Sequence, residues 1–377
     1  MRFVPFGMAI FYLSSLSSFV DSFFGLASRR KVFEEPSIAR WIKGITIRTK
    51  ELDNSLPQFD DGYLCHMMNL TGKQRRICTR EQGYPEVLME ALRISTRACQ
   101  REFQYERWNC TLGFTRRNLL RTANRESAVL TAFAAAGMAY SVAKACSSGQ
   151  LEFCSCDSNE NTLGSQPSWM WKGCGDNFRE GRAQTMRFLE SSTPKKTRMR
   201  KIERHNVQVG IAVVKQASQQ LCRCHGVSGS CTTRSCFTVL RPFKHAARSL
   251  HGLYRGPKKV SQEGLPIERG QKKKKPRVEM VLWTAEDSPD FCTRSKVSYG
   301  VAGRRCTMES PPRMVRRKRV EDVWGSCDTL CCERADGAGK TVARYENTTP
   351  VQCNCTYSAF RVNCGVCSEK EMRYYCA

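Results

Sequence analysis

Four stretches of the chain repeat apolar residues at the three-and-four spacing of an amphipathic helix. They are residues 85–103, 126–146, 207–221 and 243–254. The second stretch is rich in alanine, which has the highest helix propensity, and it places Val129, Phe133 and Tyr140 on one face. We therefore predict a helical N-terminal region built around a core helix at residues 126–146.

Residues 281–377 have a different pattern. Short strand-like pieces at 281–283 and 341–343 lie among ten cysteines, and no long helical period appears. Such a cysteine density is typical of small domains in which disulfide bonds replace a hydrophobic core. We predict an α+β protein: a helical N-terminal domain with disulfide-stapled β-hairpins, and a small disulfide-rich β C-terminal domain.

The remaining boundaries come from charge and composition. Residues 1–27 begin with Met1-Arg2, continue with an apolar run and end in small residues, which indicates a secretory signal peptide. A membrane anchor is the alternative, although the run is barely long enough to span a bilayer. We assign residues 28–255 to the N-terminal domain, 256–280 to a basic linker and 281–377 to the C-terminal domain.

The chain contains 22 cysteines, an even number that predicts a disulfide framework formed in an oxidising compartment. A cytosolic zinc protein is the competing interpretation. It is disfavoured because there are only five histidines and no repeated cysteine pairs at zinc-finger spacing. We therefore expect a protein that passes through the endoplasmic reticulum to the extracellular space and matrix, with no metal ion and no cofactor.

The formal net charge of +26 calls for a polyanionic partner or a solvated surface. Nucleic acid is the usual partner of so basic a chain, but a secreted protein meets heparan sulfate and anionic membrane surfaces instead. We therefore expect heparan sulfate binding and no nucleic acid binding. The densest basic cluster lies in the linker and resembles a nuclear localisation signal; we prefer a glycan-binding or protease-sensitive linker. It consists of Lys272, Lys273, Lys274, Lys275 and Arg277.

A serine lies at the centre of nested cysteines in residues 222–236. If Cys224 bonds to Cys231 and Cys222 to Cys236, the segment becomes a tight hairpin with Ser228 at its tip. A disulfide around so short a loop contributes roughly 2.5 to 3 kcal/mol, which is enough to hold a hairpin that has no core beneath it. The sequence therefore predicts a serine displayed on a rigid arm.

Two other kinds of chemistry are open to this segment. The run Gly226-Val227-Ser228-Gly229-Ser230 partly matches the nucleophile elbow of hydrolases, but its fifth residue is not glycine and no acid partner is identifiable. A metal site could be formed by Cys222, Cys224, His225 and Cys231. It would require cysteine thiolates, and oxidation to disulfides removes them. We expect neither an enzyme nor a metal site.

From Cys65 to Cys376 the chain resembles the Wnt family of secreted, lipid-modified signalling proteins. The resemblance is carried by C-H-G-V-S-G-S-C at residues 224–231, C-Q-R-E-F at 99–103 and R-W-N-C at 107–110. It implies a palmitoleate ester on Ser228, attached by a membrane-bound acyltransferase. It further implies a membrane carrier during secretion, and binding to the cysteine-rich domain of Frizzled receptors through Val227, Ser228 and Gly229. A low-density-lipoprotein-receptor-related co-receptor is a further implied partner. A heparan-sulfate-binding growth factor without lipid is the competing function.

The resemblance also implies the disulfide pairing. All 22 cysteines are expected to be bonded. The pairs are Cys65 with Cys78, Cys99 with Cys110, Cys146 with Cys154, Cys156 with Cys174, Cys222 with Cys236, Cys224 with Cys231, Cys292 with Cys332, Cys306 with Cys327, Cys331 with Cys376, Cys353 with Cys367, and Cys355 with Cys364.

Two departures from the family bear on function. Most relatives have two adjacent cysteines at the tip of the last hairpin, which is a second receptor contact in the family. That pair is missing here, and Tyr357 and Phe360 are the remaining apolar candidates for this contact. Thr307 occupies a position where relatives often have a glycosylated asparagine. Glycosylation signals occur at Asn69, Asn109, Asn347 and Asn354.

Overall fold

The computed structural model describes residues 64, 65, 68, 70, 72–110, 114–157, 170–172, 174–190, 198–260, 278–308, 325–333, 339–358 and 361–377. The chain divides into two compact units. The first comprises Met1–Glu102 and Cys110–Pro289, and the second comprises Phe103–Asn109 and Asp290–Ala377.

The helices are α1 (Gly72–Cys78), α2 (Tyr84–Glu102), α3 (Phe114–Leu119), α4 (Arg125–Ser147), α5 (Phe178–Glu190), α6 (Arg198–Gln216), α7 (Lys244–Tyr254) and α8 (Cys327–Leu330). The strands are β1 (Met170–Lys172), β2 (Ser218–Cys224), β3 (Arg234–Leu240), β4 (Lys258–Lys259), β5 (Trp283–Thr284), β6 (Arg305–Cys306), β7 (Val342–Ser358) and β8 (Arg361–Cys376). They form sheets in the orders β1-β3-β2, β4-β5 and β6-β8-β7.

Helix α4 is the centre of the first unit and packs against α2, α5, α6 and α7. It begins after Asn124, whose side-chain oxygen accepts a hydrogen bond of 2.8 Å from the Ser127 amide and so caps the first turn. Its residues are buried on all sides, because neighbouring helices surround it. The predicted core helix is thus present, one residue longer at each end.

Two glycines bring the neighbouring helices close to α4. A Cβ atom on Gly181 of α5 would lie 2.3 Å from the Ala139 carbonyl oxygen, and one on Gly210 of α6 would lie 2.2 Å from that of Ala132. Any side chain at either position would therefore push its helix away from α4. These small residues set the interhelical distance at the core.

By length and composition alone, α4 is also apolar enough to cross a membrane. However, 89% of its apolar window is buried inside the protein. Its hydrophobicity is therefore satisfied by packing within the first unit, as expected for the core helix of a globular domain.

Helix α6 holds the segment around Trp283 through two polar side chains. The Asn206 side chain accepts a hydrogen bond from the Trp283 amide at 2.9 Å and donates one to its carbonyl oxygen at 3.0 Å. The His205 ring stacks on the Trp283 indole with ring centroids 3.8 Å apart, and its Nε2 lies 2.8 Å from the Val281 carbonyl oxygen. Burial lowers the pKa of this imidazole below its ordinary value.

The second unit is held mainly by disulfide bonds. Its core contains Val301 and Leu330 with two bonds, Cys306–Cys327 and Cys331–Cys376, whose nearest sulfurs lie 3.6 Å apart. Strand β8 pairs with β6 on one side and with the long β7 on the other. The predicted disulfide-rich β domain is therefore confirmed, and α8, of four residues, is the longest helix among its described residues.

Residues 103–109 belong to the second unit although they lie far from it in sequence. The Arg304 guanidinium donates hydrogen bonds of 2.8–2.9 Å to the carbonyl oxygens of Gln104, Glu106 and Arg107. Phe103 and Trp108 pack edge to face with ring centroids 4.9 Å apart. The Arg304 guanidinium thus holds residues 103–109 by satisfying three of their backbone carbonyl oxygens.

The α+β fold class is confirmed, with one correction in the first unit. The sequence predicts a helix over 207–221, but α6 spans Arg198–Gln216, and Leu221 lies in β2 with 43% of its surface exposed. Leu221 is opposite Phe237 of β3, so strand pairing has replaced the last helical turn. Residues 281–289 group with the first unit, while the domain limits themselves stay a prediction.

The lowered pKa of His205 predicts a pH-dependent stability. The unfolded chain binds this proton more tightly than the native state does. The free energy of unfolding should therefore be highest above about pH 6.5 and should decrease as the pH falls below that value. His205→Phe should flatten this dependence in thermal unfolding between pH 5 and 8. His225→Phe, in an exposed position, is the control; an equal effect of both variants would contradict the assignment.

Candidate functional site

The nested cysteines form a hairpin of β2 and β3. Cys222 and Cys236 face each other directly across the two strands and are bonded, and Cys224 is bonded to Cys231 nearer the tip. The last three residues of β2, 222–224, belong to the nested-cysteine segment, and the strand is exposed from Gln220 to Cys224. The strand pair therefore has few buried contacts at this end, and the two disulfides hold it together.

The tip is a compact loop with Ser228 at its turn. The Gly226 amide donates to the Ser230 carbonyl oxygen at 2.8 Å, and the Ser230 amide donates to the Val227 carbonyl oxygen at 3.1 Å. Ser228 has φ 56° and ψ 28°, a left-handed conformation that costs a residue with a Cβ atom roughly 1 kcal/mol or more. The hydrogen-bonded loop and the Cys224–Cys231 bond hold the serine in this conformation.

Gly226 is required by close contact rather than by its φ angle. A Cβ atom here would lie 2.1 Å from the Ser230 Oγ, 2.4 Å from the Thr232 Oγ1 and 2.6 Å from the Ser230 carbonyl oxygen. The side chains could rotate away, but the carbonyl belongs to the loop backbone. The tip can therefore keep its shape only with glycine at this position.

The tip presents its side chains to solvent. Val227 is 89% exposed, an unusual position for a large aliphatic residue, and Ser228 and Gly229 are exposed beside it. Within the described part of the chain, the Ser228 hydroxyl has no hydrogen-bond partner. It is therefore accessible to an enzyme that would modify it.

His225 is the titratable side chain nearest to Ser228 in sequence. Its Nε2 lies 2.8 Å from the Ser235 Oγ, so the ring is held across the strands by another serine. The remaining tip hydroxyls, of Ser230 and Thr232, bond to each other at 3.1 Å. The local hydrogen bonds thus serve to shape the loop.

The hairpin is fixed to the first unit through Asp176. Its Oδ2 accepts hydrogen bonds from the Leu240 amide at 2.6 Å and from the Lys144 Nζ at 2.7 Å, while its Oδ1 accepts from the Ser147 hydroxyl at 3.0 Å. The Asp176 amide donates to the Thr238 carbonyl oxygen at 2.8 Å. One carboxylate therefore ties the end of β3 to the last turn of α4. No sequence motif pointed to this residue.

The second displayed hairpin is the end of β7 and β8. Tyr357 pairs directly with Val362, and they are 70% and 63% exposed. The Cys355–Cys364 bond follows, and Val366, 78% exposed, lies on the same face as Val362 because side chains alternate along a strand. Val362, Cys364 and Val366 recur at every second residue, and this strand-like spacing is the sequence signal that identifies the two valines as sharing a face. We call Tyr357, Val362 and Val366 the apolar stripe.

Ten disulfide bonds are present among the described residues, and each matches a pair that the family resemblance implied. They are Cys65–Cys78, Cys99–Cys110, Cys146–Cys154, Cys222–Cys236, Cys224–Cys231, Cys292–Cys332, Cys306–Cys327, Cys331–Cys376, Cys353–Cys367 and Cys355–Cys364.

The expected Cys156–Cys174 bond is not formed, and both residues carry free thiols. The Cys174 Sγ lies 3.6 Å from the Ser147 carbonyl oxygen, to which the thiol donates. The pKa of the Cys174 thiol is raised to about 11, mainly by a hydrogen bond with Cys156 and to a smaller extent by burial. The two thiol groups are therefore hydrogen-bonded neighbours.

The other predicted site residues are spread over the chain. Asn109 and Asn347 are half-buried, and Asn354 is exposed with φ 47° next to a bulge in β7. Thr307 pairs with the Gly325 carbonyl oxygen at 2.9 Å through its amide. Three groups lie outside the described residues: Asn69, Phe360, and the basic cluster Lys272, Lys273, Lys274, Lys275 and Arg277.

One group of side chains in the described segments has metal-like spacing. It consists of Cys306, Cys331 and Cys376. All three sulfurs are already in disulfide bonds, and a disulfide sulfur lacks the negative charge of a thiolate ligand. This cluster is therefore a packed core of sulfur atoms.

Taken together, a helical unit with a stapled serine hairpin and a disulfide-rich unit with a long second hairpin define a class of protein that displays two rigid arms. The family model described as the Wnt family matches residues 66–377. Chicken Wnt-9a is 36% identical over 83% of this chain and 86% of its own length, and human Wnt-9b is 33% identical over 97% and 96%. The chain belongs to the Wnt family, whose members are secreted signalling ligands.

A solved structure supports the same fold. In the structure of human WLS in complex with WNT8A, one chain is 27% identical to this protein, with a TM-score of 0.52. The match covers 78% of this chain and 94% of that one. The similarity thus extends over both the helical and the disulfide-rich regions.

The contact at Gly226 gives a test of the tip geometry. Gly226→Ala should destabilise the loop by about 1–3 kcal/mol, because the new methyl group overlaps the Ser230 carbonyl oxygen. Limited trypsin digestion should then cleave faster after Arg223. Gly252→Ala is the matched control: no atom lies within 4 Å of its added Cβ, and it lies in a helix. Equal cleavage of both variants would contradict the proposed packing.

Proposed function

We propose that this chain is a secreted, acylated ligand that binds the cysteine-rich domain of a Frizzled receptor through its serine hairpin. The single observation that supports this best is the exposed Ser228 hydroxyl, held in a left-handed turn between two disulfides with no hydrogen-bond partner in the described residues. A side chain that served only to shape the loop would be bonded within it, as Ser230 and Thr232 are.

The proposed modification is a palmitoleate ester at the Ser228 Oγ, formed by a membrane-bound acyltransferase. An acyltransferase must reach the hydroxyl together with its neighbouring backbone, and the exposed residues 227–229 leave that approach open. In the ester, the fatty acid chain would continue outward from the tip, beside Val227. The hairpin and its lipid would then enter the receptor together.

The lipid would supply most of the binding energy. Burial of a chain of about 16 carbons, at ~0.8 kcal/mol for each methylene, yields on the order of 10 kcal/mol before association costs are subtracted. The side chains of a solvated hairpin offer much less apolar surface. A rigid arm adds to this by avoiding the entropy that a mobile loop would lose on binding.

An exposed lipid requires a carrier in water. The solved relative was determined as WNT8A in complex with WLS. We propose that a membrane carrier of the WLS type shields the acyl chain of this protein during secretion. Recognition by the carrier would depend on the same hairpin tip that later meets the receptor.

We propose the apolar stripe as the second receptor contact. It has the properties of such a contact: three large apolar side chains exposed on one face of a cross-linked hairpin, where solvent exposure is unfavourable. Phe360 is adjacent in sequence and joins the proposal. Without the adjacent cysteines of most relatives, Tyr357 would be the aromatic anchor of this surface.

The remaining proposed partners rest on composition and on the family. They are a low-density-lipoprotein-receptor-related co-receptor, and heparan sulfate bound by residues 272–275 and 277. The asparagines at 69, 109, 347 and 354 are proposed glycosylation sites. Of these, Asn354 lies one residue from Cys355, so a glycan there would be attached close to the apolar stripe.

Replacement of Ser228 tests the lipid. Ser228→Ala should abolish labelling by an alkyne fatty acid, greatly reduce secretion, and lower Frizzled-domain affinity at least 100-fold, because the apolar chain is lost. Ser230→Ala, in the same loop, should keep all three properties. If the unmutated protein carries no label on Ser228 and is nevertheless secreted and binds the receptor domain normally, the result would favour a growth factor without lipid over the acylated ligand.

Replacement of Tyr357 tests the second contact. Tyr357→Ala should weaken binding to the Frizzled cysteine-rich domain about tenfold or more, as expected for an exposed aromatic anchor, and should leave acylation unchanged. Tyr345→Ala is the matched control, because Tyr345 is 59% exposed on the same hairpin but far from its tip. Equal binding by the two variants would exclude Tyr357 as the anchor.

A further inference from the structure

A small recess lies in the first unit, away from the serine hairpin. It is formed by the end of α1 with the following turn, the beginning of α2, the loop after α4, and α5. Including its open mouth it measures about 240 Å³, less than the volume that drug-sized ligands occupy. The space available to a water-sized group within it is about 20 Å³, which is room for a single oxygen atom with its hydrogens, such as one water molecule.

The wall of this recess contains a buried hydroxyl with no partner. Tyr84 is 1% exposed, and its hydroxyl makes no hydrogen bond within the described structure. Its ring is fixed by an edge-to-face contact with Phe153, with centroids 6.0 Å apart. A buried hydroxyl without a partner costs about 1–3 kcal/mol of desolvation, so a hydrogen-bond acceptor is expected in the recess.

The charged side chains around the recess favour an anionic acceptor. Arg80 and Arg187 line it, opposed by one carboxylate, Glu81, which lies 3.4 Å from the Arg80 guanidinium. Arg187 forms no ion pair with any residue in the described ranges. Glu180 lies one helical turn before Gln184, and its carboxylate accepts a hydrogen bond of 2.7 Å from the Gln184 side-chain amide. Arg187 is therefore a guanidinium at the recess with no ion-pair partner in the described ranges, and Glu180 is the second carboxylate near enough to act on Tyr84.

Tyr84 keeps a proton that it can donate in the recess. Burial raises the pKa of its phenol far above neutrality, and the smaller effect of the Arg187 charge does not reverse this. The hydroxyl therefore keeps its proton at any physiological pH. An acceptor atom in the recess would receive this hydrogen bond.

We propose that this recess binds one sulfate or phosphate group. One oxygen of the group would occupy this space and accept the Tyr84 hydrogen bond, while the others would contact the guanidinium groups of Arg187 and Arg80. A tetrahedral oxyanion offers oxygens in these different directions, and guanidinium groups bind such oxygens with charge-assisted hydrogen bonds. None of the residues that line the recess belongs to the serine hairpin.

The group can be a free ion or an ester on a larger molecule, and the geometry of the recess is the same for both. A sulfated sugar would present its ester group at the open mouth and leave the rest of the chain outside. Lys73 is on the same face of α1 as Ile77, which lines the recess, because the two are four residues apart. It could contact further charges of such a chain.

Phosphorus NMR of inorganic phosphate tests the site directly. Titration of the intact secreted protein with phosphate, at constant ionic strength, should broaden the phosphate resonance. Tyr84→Phe and Arg187→Gln should each weaken phosphate binding about tenfold, since each removes a donor to the anion. Arg182→Gln is the matched control, an exposed arginine on the same helix that does not line the recess.

Competition then distinguishes the sources of the group. Displacement of phosphate by a heparin tetrasaccharide, but not by its desulfated form, would assign the site to sulfated glycans; displacement by inorganic sulfate alone would assign it to free anions. Thermal unfolding should show that Tyr84→Phe remains folded. The proposal is overturned if phosphate binds the Tyr84 and Arg187 variants as well as it binds the control, or if no broadening occurs with the unmodified protein.

Discussion

The covalent cross-links of the serine hairpin are the constraint on which the site depends. Two disulfides join strands whose outer ends have few buried contacts, and each closes a loop short enough to contribute roughly 2.5 to 3 kcal/mol. In the proposed function the tip contacts another protein, and a tip that is free for such a contact cannot be packed against its own domain. Covalent bonds solve this conflict, because they hold the left-handed Ser228 without covering it.

The position of the arm depends on a second constraint, the buried carboxylate of Asp176. It is 5% exposed and accepts three hydrogen bonds, from α4 and from the last residue of β3. A buried charge is tolerated only where such bonds replace water. Since α4 is surrounded by other helices, it gives the hairpin a buried base. The rigidity of the helical core is thus transmitted to the hairpin through one side chain.

Much of this architecture was predictable from sequence, for identifiable reasons. Helices α2, α4 and α7 follow from periodicity because each buries one face or more, and the ten disulfides follow from the family motifs. The end of α6 was missed, because Leu221 continues the helical spacing while β3 provides a competing strand partner. Asp176 and Tyr84 were also missed. Their roles depend on groups distant in sequence, Lys144 and Leu240 for one and Arg187 for the other, and no local pattern records such contacts.

The second unit applies the same physical solution to a different surface. Strands β7 and β8 extend over 17 and 16 residues, and most of their side chains are exposed, so the pair lacks the buried face that usually stabilises a sheet. Disulfides Cys353–Cys367 and Cys355–Cys364 cross-link it near the tip instead. Exposed apolar residues such as Val366 can then be kept at the tip, where collapse onto a core would otherwise bury them. The absence of adjacent cysteines changes which side chains are displayed but leaves the support beneath them in place.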